Sequence, residues 1–305
     1  MRKLLLFLLL ILFSVVLLSN LNNLSHLRQS REQVAKPESK RPILRVALVS
    51  DSHNENDLLA KALSQAEGEG VNFVIGLGDY TNTGTAEELQ AAKKVFDESK
   101  LNYFVTAGDH DLWDSRNEGE EALANFKQVF GQSSQIIDRE NVLFVILDNS
   151  DIYLGIDSKS WDMLNRAFSE GIGFDSNSGQ NVRCQMSDVR CAQPKLRFVF
   201  AQKTPFHPES KHVMGQDNPD VANQAKRLLA LFEDKKVDGF FSGDLHFFAQ
   251  FSAKGGSTSG GKSTGDVKIT TIGAVARERN FQGPRFGILT IWDDYSWDIE
   301  DVEIR

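Results

Sequence analysis

The chain has 305 residues, of which 41% are hydrophobic and 25% are charged, as in an ordinary globular protein. This composition excludes the collagen-like, coiled-coil and polytopic membrane classes. The formal net charge is −8, and residues 42–305 carry 27 basic and 40 acidic side chains. The acidic balance argues against nucleic-acid binding through a broadly basic surface.

Residues 1–19 are predicted to be a signal sequence or a membrane anchor. Arg2 and Lys3 precede an apolar run from Leu4 to Leu18, the usual layout of an export signal. No small-residue cleavage site follows, which favours an uncleaved anchor over a secreted form. Residues 20–41 are predicted to be a polar linker and residues 42–305 the folded domain, exported and either membrane-anchored on the extracytoplasmic side or secreted.

Short strands alternate with helices from residue 43 to residue 242. Apolar runs rich in β-branched and aromatic residues predict strands at Ile43–Val49, Val71–Leu77, Leu101–Ala107, Val142–Asp148, Leu196–Ala201 and Val237–Ser242. Helical periodicity predicts helices at Asn56–Glu67, at Thr85–Lys100, from near Ser160, and at Val221–Asp234. Most strand runs are apolar throughout, as expected when both faces of a sheet are covered.

The C-terminal part is predicted to contain only strands, at Phe247–Ser252, Val267–Ile272, Phe286–Trp292 and Trp297–Ile304. The whole domain is therefore expected to be a layered α/β sandwich. Gly171–Pro194 has no clear period and is predicted to be a surface insertion. It holds both cysteines, Cys184 and Cys191, which in an exported chain are interpreted as a disulfide. Two free thiols are the alternative.

Acidic residues and histidines gather directly after the predicted strands. The groups are Asp51-Ser52-His53, Gly78-Asp79, Gly108-Asp109-His110-Asp111, Gln202 and Gly243-Asp244-Leu245-His246. Because ligands of α/β sheets bind at the carboxyl ends of strands, these groups are expected to converge. Carboxylates and imidazoles that converge without matching Lys or Arg would repel one another unless a cation lies among them. The cluster therefore predicts a metal site.

The order of these groups resembles that of the calcineurin-like metallophosphoesterases, over most of residues 43–292. The resemblance implies a four-layer α/β/β/α sandwich with two divalent metal ions, bridged by an aspartate and a hydroxide. It also implies hydrolysis of phosphomonoesters or phosphodiesters, with a phosphorylated small molecule or another phosphoester as substrate.

Carried over by position, the resemblance implies one intact metal site. Asp51, His53 and His246 would bind the first metal, and Asp79 would bridge it to the second.

The second site departs from the family pattern. The family has Asn where this chain has Asp109, and His where it has Asp244. Another family His aligns with Gln202 in Val199–Pro208, with His207 as the alternative ligand. The departures exchange nitrogen for oxygen, which favours hard cations such as Mg²⁺, Mn²⁺ or Ca²⁺. At this second site, Mn, Mg or Fe is expected in preference to Zn.

The resemblance also supplies candidate residues beyond the metal ligands. His110, oriented by Asp111, would protonate the leaving oxygen or stabilise the transition state. An ordinary strand-end histidine is the alternative. Arg277 and Arg279 follow a predicted strand and could bind phosphate, or they could be exposed loop arginines.

Two other functions stay open. A non-catalytic, metal-stabilised binding module at the cell surface is suggested by the altered second site. A secreted nuclease is disfavoured by the acidic surface and the lack of a strong nucleic-acid signature. The membrane would be contacted through residues 1–19, and no protein partner is indicated.

Overall fold

The structure is a computed structural model that describes residues 40–169, 172–175, 180–183, 193–254 and 266–305. Residues 42–305 form one contiguous folded unit. The predicted signal or anchor, nearly all of the predicted linker, and Cys184 and Cys191 lie outside the described residues, so the export segment and the disulfide stay predictions. Among the residues that are described, no helix combines the length and the apolar character needed to cross a membrane.

Thirteen strands are found in the described part of the chain. They are β1 (Pro42–Val49), β2 (Phe73–Gly76), β3 (Tyr103–Val105), β4 (Gln135–Arg139), β5 (Val142–Ile146), β6 (Ile172–Asp175), β7 (Gln180–Arg183), β8 (Leu196–Ala201), β9 (Gly239–Ser242), β10 (Ala249–Lys254), β11 (Asp266–Thr271), β12 (Arg285–Trp292) and β13 (Trp297–Glu303).

Two mixed sheets contain all of these strands except β6 and β7, which form a separate antiparallel hairpin. The first sheet has the order β13-β12-β1-β2-β3, with β1, β2 and β3 parallel. The second sheet has the order β10-β11-β9-β8-β5-β4, with β5, β8, β9 and β11 parallel. The parallel strands of each sheet therefore end at a common edge.

The α-helices of the described residues are α1 (Asn56–Gly68), α2 (Ala86–Glu98), α3 (Trp113–Asn117), α4 (Ala124–Phe130), α5 (Ser158–Ala167) and α6 (Pro219–Asp234). Three of these helices are capped at the N-terminus by a side chain that accepts a backbone hydrogen bond. Thr85 accepts from the backbone N–H of Glu88 before α2, Asp157 from Ser160 before α5, and Asn218 from Asp220 before α6.

Three hydrophobic clusters define the layers of the molecule. Helices α1, α2 and α4 pack on the outer face of the first sheet, whereas α5 and α6 pack on the outer face of the second. Between the sheets lies an apolar layer drawn from both, in which Phe73 of β2 meets Phe144 of β5 edge to face at 5.4 Å. This is the predicted four-layer α/β/β/α sandwich.

The predicted elements are present, with ends shifted by a few residues. The sequence patterns missed β4, α3, α4 and the hairpin of β6 and β7, which falls within the predicted insertion Gly171–Pro194. Strand β4 is an edge strand paired only with β5, and its sequence Gln-Ile-Ile-Asp-Arg has too short an apolar run to stand out. Helices α3 and α4 have five and seven residues, too few to show a period.

Candidate functional site

The site lies where the parallel strands of both sheets end. In the first sheet Val49 pairs with Gly76, and Gly76 pairs with Val105. The segments that follow β1, β2 and β3 therefore leave the sheet side by side. In the second sheet Ala201 pairs with Ser242, so the segments that follow β8 and β9 emerge together as well. All of the polar groups singled out in the sequence occupy these five segments.

The turns that carry the site have an uncommon backbone conformation. Five non-glycine residues lie in the left-handed region, with φ of 54° at Asp51, 42° at His53, 55° at Asp79, 66° at Asp244 and 60° at His246. Such conformations cost energy in L-residues and persist where the surrounding structure enforces them, often at functional sites.

Close contact between neighbouring turns requires a glycine at one position. A Cβ on Gly108 would collide with the carboxylate and the backbone nitrogen of Asp79. Because that carboxylate also accepts a 3.0 Å hydrogen bond from the backbone N–H of His110, the third turn is held directly against the second.

The first group of candidate ligands consists of Asp51, His53 and His246, each offering an atom within 4.8 Å of the others. The Nε2 atoms of His53 and His246 lie 3.2 Å apart, and His246 Nε2 lies 3.6 Å from Asp51 Oδ1. Two imidazole nitrogens and a carboxylate that face one another are a donor set that suits a transition-metal ion.

The environment of His53 keeps its imidazole neutral, as a metal ligand must be. Burial, followed by the proximity of His246 and His110, lowers the pKa of His53 to about 3. Its Nδ1 lies 3.3 Å from the carbonyl oxygen of Thr81. A proton on Nδ1 is donated to that carbonyl, which leaves the lone pair of Nε2 directed into the group. The first group thus fits a metal ion.

The second group consists of Asp79, Asp109 and Asp244, which also place one oxygen each within 4.8 Å of the others. Gln202 joins it, because its Nε2 lies 3.0 Å from Asp79 Oδ2, 3.2 Å from Asp244 Oδ1 and 3.3 Å from Asp109 Oδ1, so its two N–H groups are shared among three carboxylates. The amide therefore presents its nitrogen to the carboxylates, and not the oxygen that a metal would need.

Lys203 completes this second group. Its Nζ lies 2.7 Å from Asp244 Oδ1 and 3.1 Å from Asp109 Oδ1, and only 6% of its side chain is exposed. Burial opposes the charge, but Asp244, Asp109 and Asp79 raise the pKa of Lys203 above its usual value. Burial likewise works against ionised Asp244, yet Lys203 and His212 hold its pKa below the usual value. The pair is a buried ion pair.

A buried asparagine fixes the backbone of Lys203. Asn149 follows β5 in the second sheet, and its Oδ1 accepts a 2.9 Å hydrogen bond from the backbone N–H of Lys203. Its Nδ2 donates to the carbonyl oxygen of the same residue at 2.7 Å. Since both backbone groups of Lys203 bond to one side chain, the lysine is built into the fold.

Two acceptor atoms of the second group have no hydrogen-bond partner among the described residues. They are Asp244 Oδ2 and Gln202 Oε1, both buried. His212 contacts the other oxygen of Asp244, with its Nε2 3.2 Å from Oδ1.

A cleft of about 260 Å³ opens beside the first group. It is lined by His53, Asn82, Thr83, His110, Trp113, His246, Glu278 and Arg279. In this cleft the ring of His110 stacks on Trp113 at 4.0 Å and lies edge to face with His53 at 4.8 Å. The first group therefore borders a space that a substrate can enter.

The prediction that Asp111 orients His110 is wrong. The Nδ1 of His110 lies 2.9 Å from the carbonyl oxygen of Asn82. Asp111 instead accepts hydrogen bonds from the backbone N–H of Gly108 and from the backbone and hydroxyl of Thr81, and burial raises its pKa to about 7. Because its carboxylate accepts hydrogen bonds from Thr81 and Gly108, Asp111 holds together the turns that follow β2 and β3.

Gln202 and His207 were the alternative ligands in Val199–Pro208, and the structure brings Gln202 to the carboxylates. His207 instead accepts hydrogen bonds from the backbone N–H groups of Glu209 and Ser210, and its ring packs on Phe247 and Phe251.

The two arginines differ in their surroundings. Arg277 is paired with Glu55 at 2.9 Å. Arg279 lines the cleft with 72% of its side chain exposed, and its Nε lies 3.8 Å from Glu278 Oε1.

The sequence patterns missed Lys203 and His212. Lys203 directly follows Gln202 within the segment that resembled the family motif, so its position was a usable signal. The sequence prediction omits Lys203 because it has metal ions alone balance the charge of the carboxylates.

A four-layer sandwich with Asp and His groups at the strand ends defines an α/β protein with candidate metal-binding residues. A family model described as calcineurin-like phosphoesterase matches residues 44–248, and the chain belongs to that family. The resemblance inferred from the sequence is thereby confirmed. Comparison with curated proteins found no match.

Solved structures show the same fold. A dimetal phosphatase from Danio rerio is 13% identical with a TM-score of 0.53, covering 87% of this chain and 98% of its own. A purple acid phosphatase from yellow lupin (Lupinus luteus) seeds is 14% identical with a TM-score of 0.57, covering 85% of this chain and 51% of its own. This chain thus spans about half of the lupin enzyme. At these identities the likeness concerns the fold.

Proposed function

We propose that this protein hydrolyses phosphoester bonds with the help of a divalent metal ion held by Asp51, His53 and His246. The observation that carries the proposal is that the ligand atoms of this group lie close together and that two of its members, His53 and His246, line the cleft. When bound there, a divalent ion supplies Lewis acidity and activates water.

The other residues of the cleft have roles in binding and in proton transfer. The Nδ1 of His110 faces the carbonyl of Asn82, so a proton on Nδ1 is fixed there and Nε2 is left to deliver a proton to the leaving oxygen. Arg279 offers a guanidinium to the phosphate oxygens at the mouth of the cleft. Trp113 supplies a flat apolar wall for the remainder of the substrate.

The test is hydrolysis of an aryl phosphomonoester and an aryl phosphodiester by the full chain, supplied in turn with Mn²⁺, Mg²⁺, Ca²⁺ and Zn²⁺. We expect metal-dependent turnover that Asp51→Asn abolishes. Asp57→Asn, an exposed aspartate in the first turn of α1, is the matched control and is expected to retain it. Metal binding without turnover of either ester under any ion would contradict the proposal and favour the non-catalytic binding module.

We further propose that the folded unit acts outside the cytoplasm, tethered by residues 1–19. The support is the basic pair and apolar run at the N-terminus. Cell fractionation tests this proposal: the full chain is expected in the membrane fraction, with residues 42–305 open to protease added from outside. Recovery in the cytoplasmic fraction would contradict it.

A further inference from the structure

We infer that the ammonium group of Lys203 takes the place of a second metal ion, so that the protein binds one divalent ion per chain. The inference deepens the proposed function, on which its catalytic meaning rests, and it departs from the two ions that the resemblance implied. Three observations carry it: the position of Nζ, the orientation of Gln202 and the way in which the lysine is held.

The ammonium group lies among the carboxylates that would ligate the second ion. It contacts Asp244 Oδ1 and Asp109 Oδ1, and each of these residues belongs to the candidate ligand group. A divalent ion bound to the same oxygens would lie within a few ångströms of Nζ in a buried, weakly screened environment. The two cations would repel each other strongly.

Gln202 points the same way. Its Nε2 lies within 3.3 Å of an oxygen of each carboxylate, with two N–H groups shared among the three. Two neighbouring residues therefore provide N–H donors where the family pattern expects a ligand. Asp244 Oδ1 accepts from Lys203, Gln202 and His212 together. Nitrogen atoms of the protein therefore surround this oxygen, while Asp244 Oδ2 and Gln202 Oε1 have no hydrogen-bond partner among the described residues.

Both the backbone and the side chain of Lys203 are held in this position. Its backbone is bonded on both sides to the buried Asn149, and its side chain is almost entirely buried. If the ammonium group of Lys203 left this position, the carboxylates would stay buried without a compensating charge, which is strongly unfavourable. Lys203 thus supplies the positive charge that pairs with Asp109 and Asp244.

The experiment is a count of bound metal, which needs no substrate. The full chain is loaded with excess Mn²⁺, separated from free ion by gel filtration, and measured by elemental analysis and electron paramagnetic resonance. We expect one Mn²⁺ per chain and the spectrum of an isolated ion. Two ions per chain with a spin-coupled spectrum would overturn the inference, and so would a chain that retains none.

Variants of Lys203 test the cause. Lys203→Ala is expected to bind a second Mn²⁺, because the carboxylates then lack their cation, and to show spin coupling. Lys203→Met, which keeps most of the buried stem, is the second variant should the alanine variant not fold. Lys61→Ala, at an exposed position of α1, is the control and is expected to stay at one ion. A stoichiometry that remains at one in a folded Lys203 variant would overturn the inference.

The metal count and the turnover assay can fail separately. Two ions with turnover would overturn the role of Lys203 and leave the proposed function standing. One ion without turnover would do the reverse.

Discussion

At the scale of single residues, the site combines side chains that face a ligand with side chains that hold others in place. His53 and His246 direct ring nitrogens at a common point, and His110 lines the cleft beside them. Asn149 and Asp111 are buried, and their hydrogen bonds go to backbone groups of the loops. The first set sets the chemistry, and the second sets its geometry.

His110→Ala is expected to lower kcat by about 10²- to 10⁴-fold, the usual contribution of a positioned acid or base. The bond from its backbone N–H to Asp79 is retained in alanine, so metal content should not change. Steady-state kinetics with elemental analysis checks both. His207→Ala is the control, because the ring of His207 packs on Phe247 and Phe251 and does not line the cleft. An equal loss of kcat in that variant would contradict the assignment.

Asn149→Ala is expected to lower the free energy of unfolding by about 1–3 kcal/mol, because it leaves the N–H and carbonyl of Lys203 buried without partners. Urea denaturation monitored by circular dichroism measures this difference. Asn102→Ala removes an exposed asparagine and should leave the stability within about 0.5 kcal/mol. Equal stability of Asn149→Ala and the unsubstituted chain would show that Lys203 does not depend on Asn149.

The residues of the site were predictable from the sequence up to the point where charge had to be counted. Asp51, Asp79 and Asp109 each follow a parallel strand of the first sheet, where strand ends lie together by geometry alone, whereas Asp244 follows β9 of the second sheet. The contact between Lys203 and Asp244 joins residues 41 positions apart. It depends on the order of β8 and β9 within the sheet, which no local pattern specifies.

At the scale of elements, caps and apolar faces fix where the helices begin and pack. Thr85, the first residue of the helix predicted at Thr85–Lys100, accepts a hydrogen bond from the backbone N–H of Glu88 and caps α2. The long, uniformly apolar strands were predictable because strands buried on both faces have a strong sequence signal. Edge strand β4 and the short helices α3 and α4 lack such a signal.

Thr85→Ala is expected to destabilise the protein by about 1 kcal/mol through loss of this cap. Thr85→Ser keeps the hydroxyl oxygen and should stay close to the unsubstituted chain. Thermal denaturation of the two variants side by side checks the difference. If serine and alanine gave the same melting temperature, the capping hydrogen bond would not contribute to stability.

At the scale of the whole molecule, the candidate metal group spans the two sheets. Asp51 and His53 follow β1 of the first sheet, and His246 follows β9 of the second. The ligands come together only when the sheets pack through the apolar layer that contains Phe73 and Phe144. A metal ion bound there therefore binds the folded chain in preference to the unfolded one.

Saturating Mn²⁺ is accordingly expected to raise the melting temperature, by an amount equivalent to about 2.7 kcal/mol when free ion exceeds the dissociation constant a hundredfold. Differential scanning calorimetry with and without a chelator measures the shift. Asp51→Asn should reduce it strongly, whereas Asp57→Asn should not. An equal shift in both variants would indicate that the ion stabilises the fold from elsewhere.

The lysine within the carboxylate group separates two events in the life of the chain. In a centre made only of acidic residues, the buried negative charges are balanced only after metal binds. Folding of such a centre therefore depends on the concentration of metal ions. Here Asp244 has a counter-ion once β8 and β9 pair, and Asp109 joins it when the two sheets pack. The protein can finish folding in a metal-poor compartment and acquire its ion later, wherever the ion is abundant.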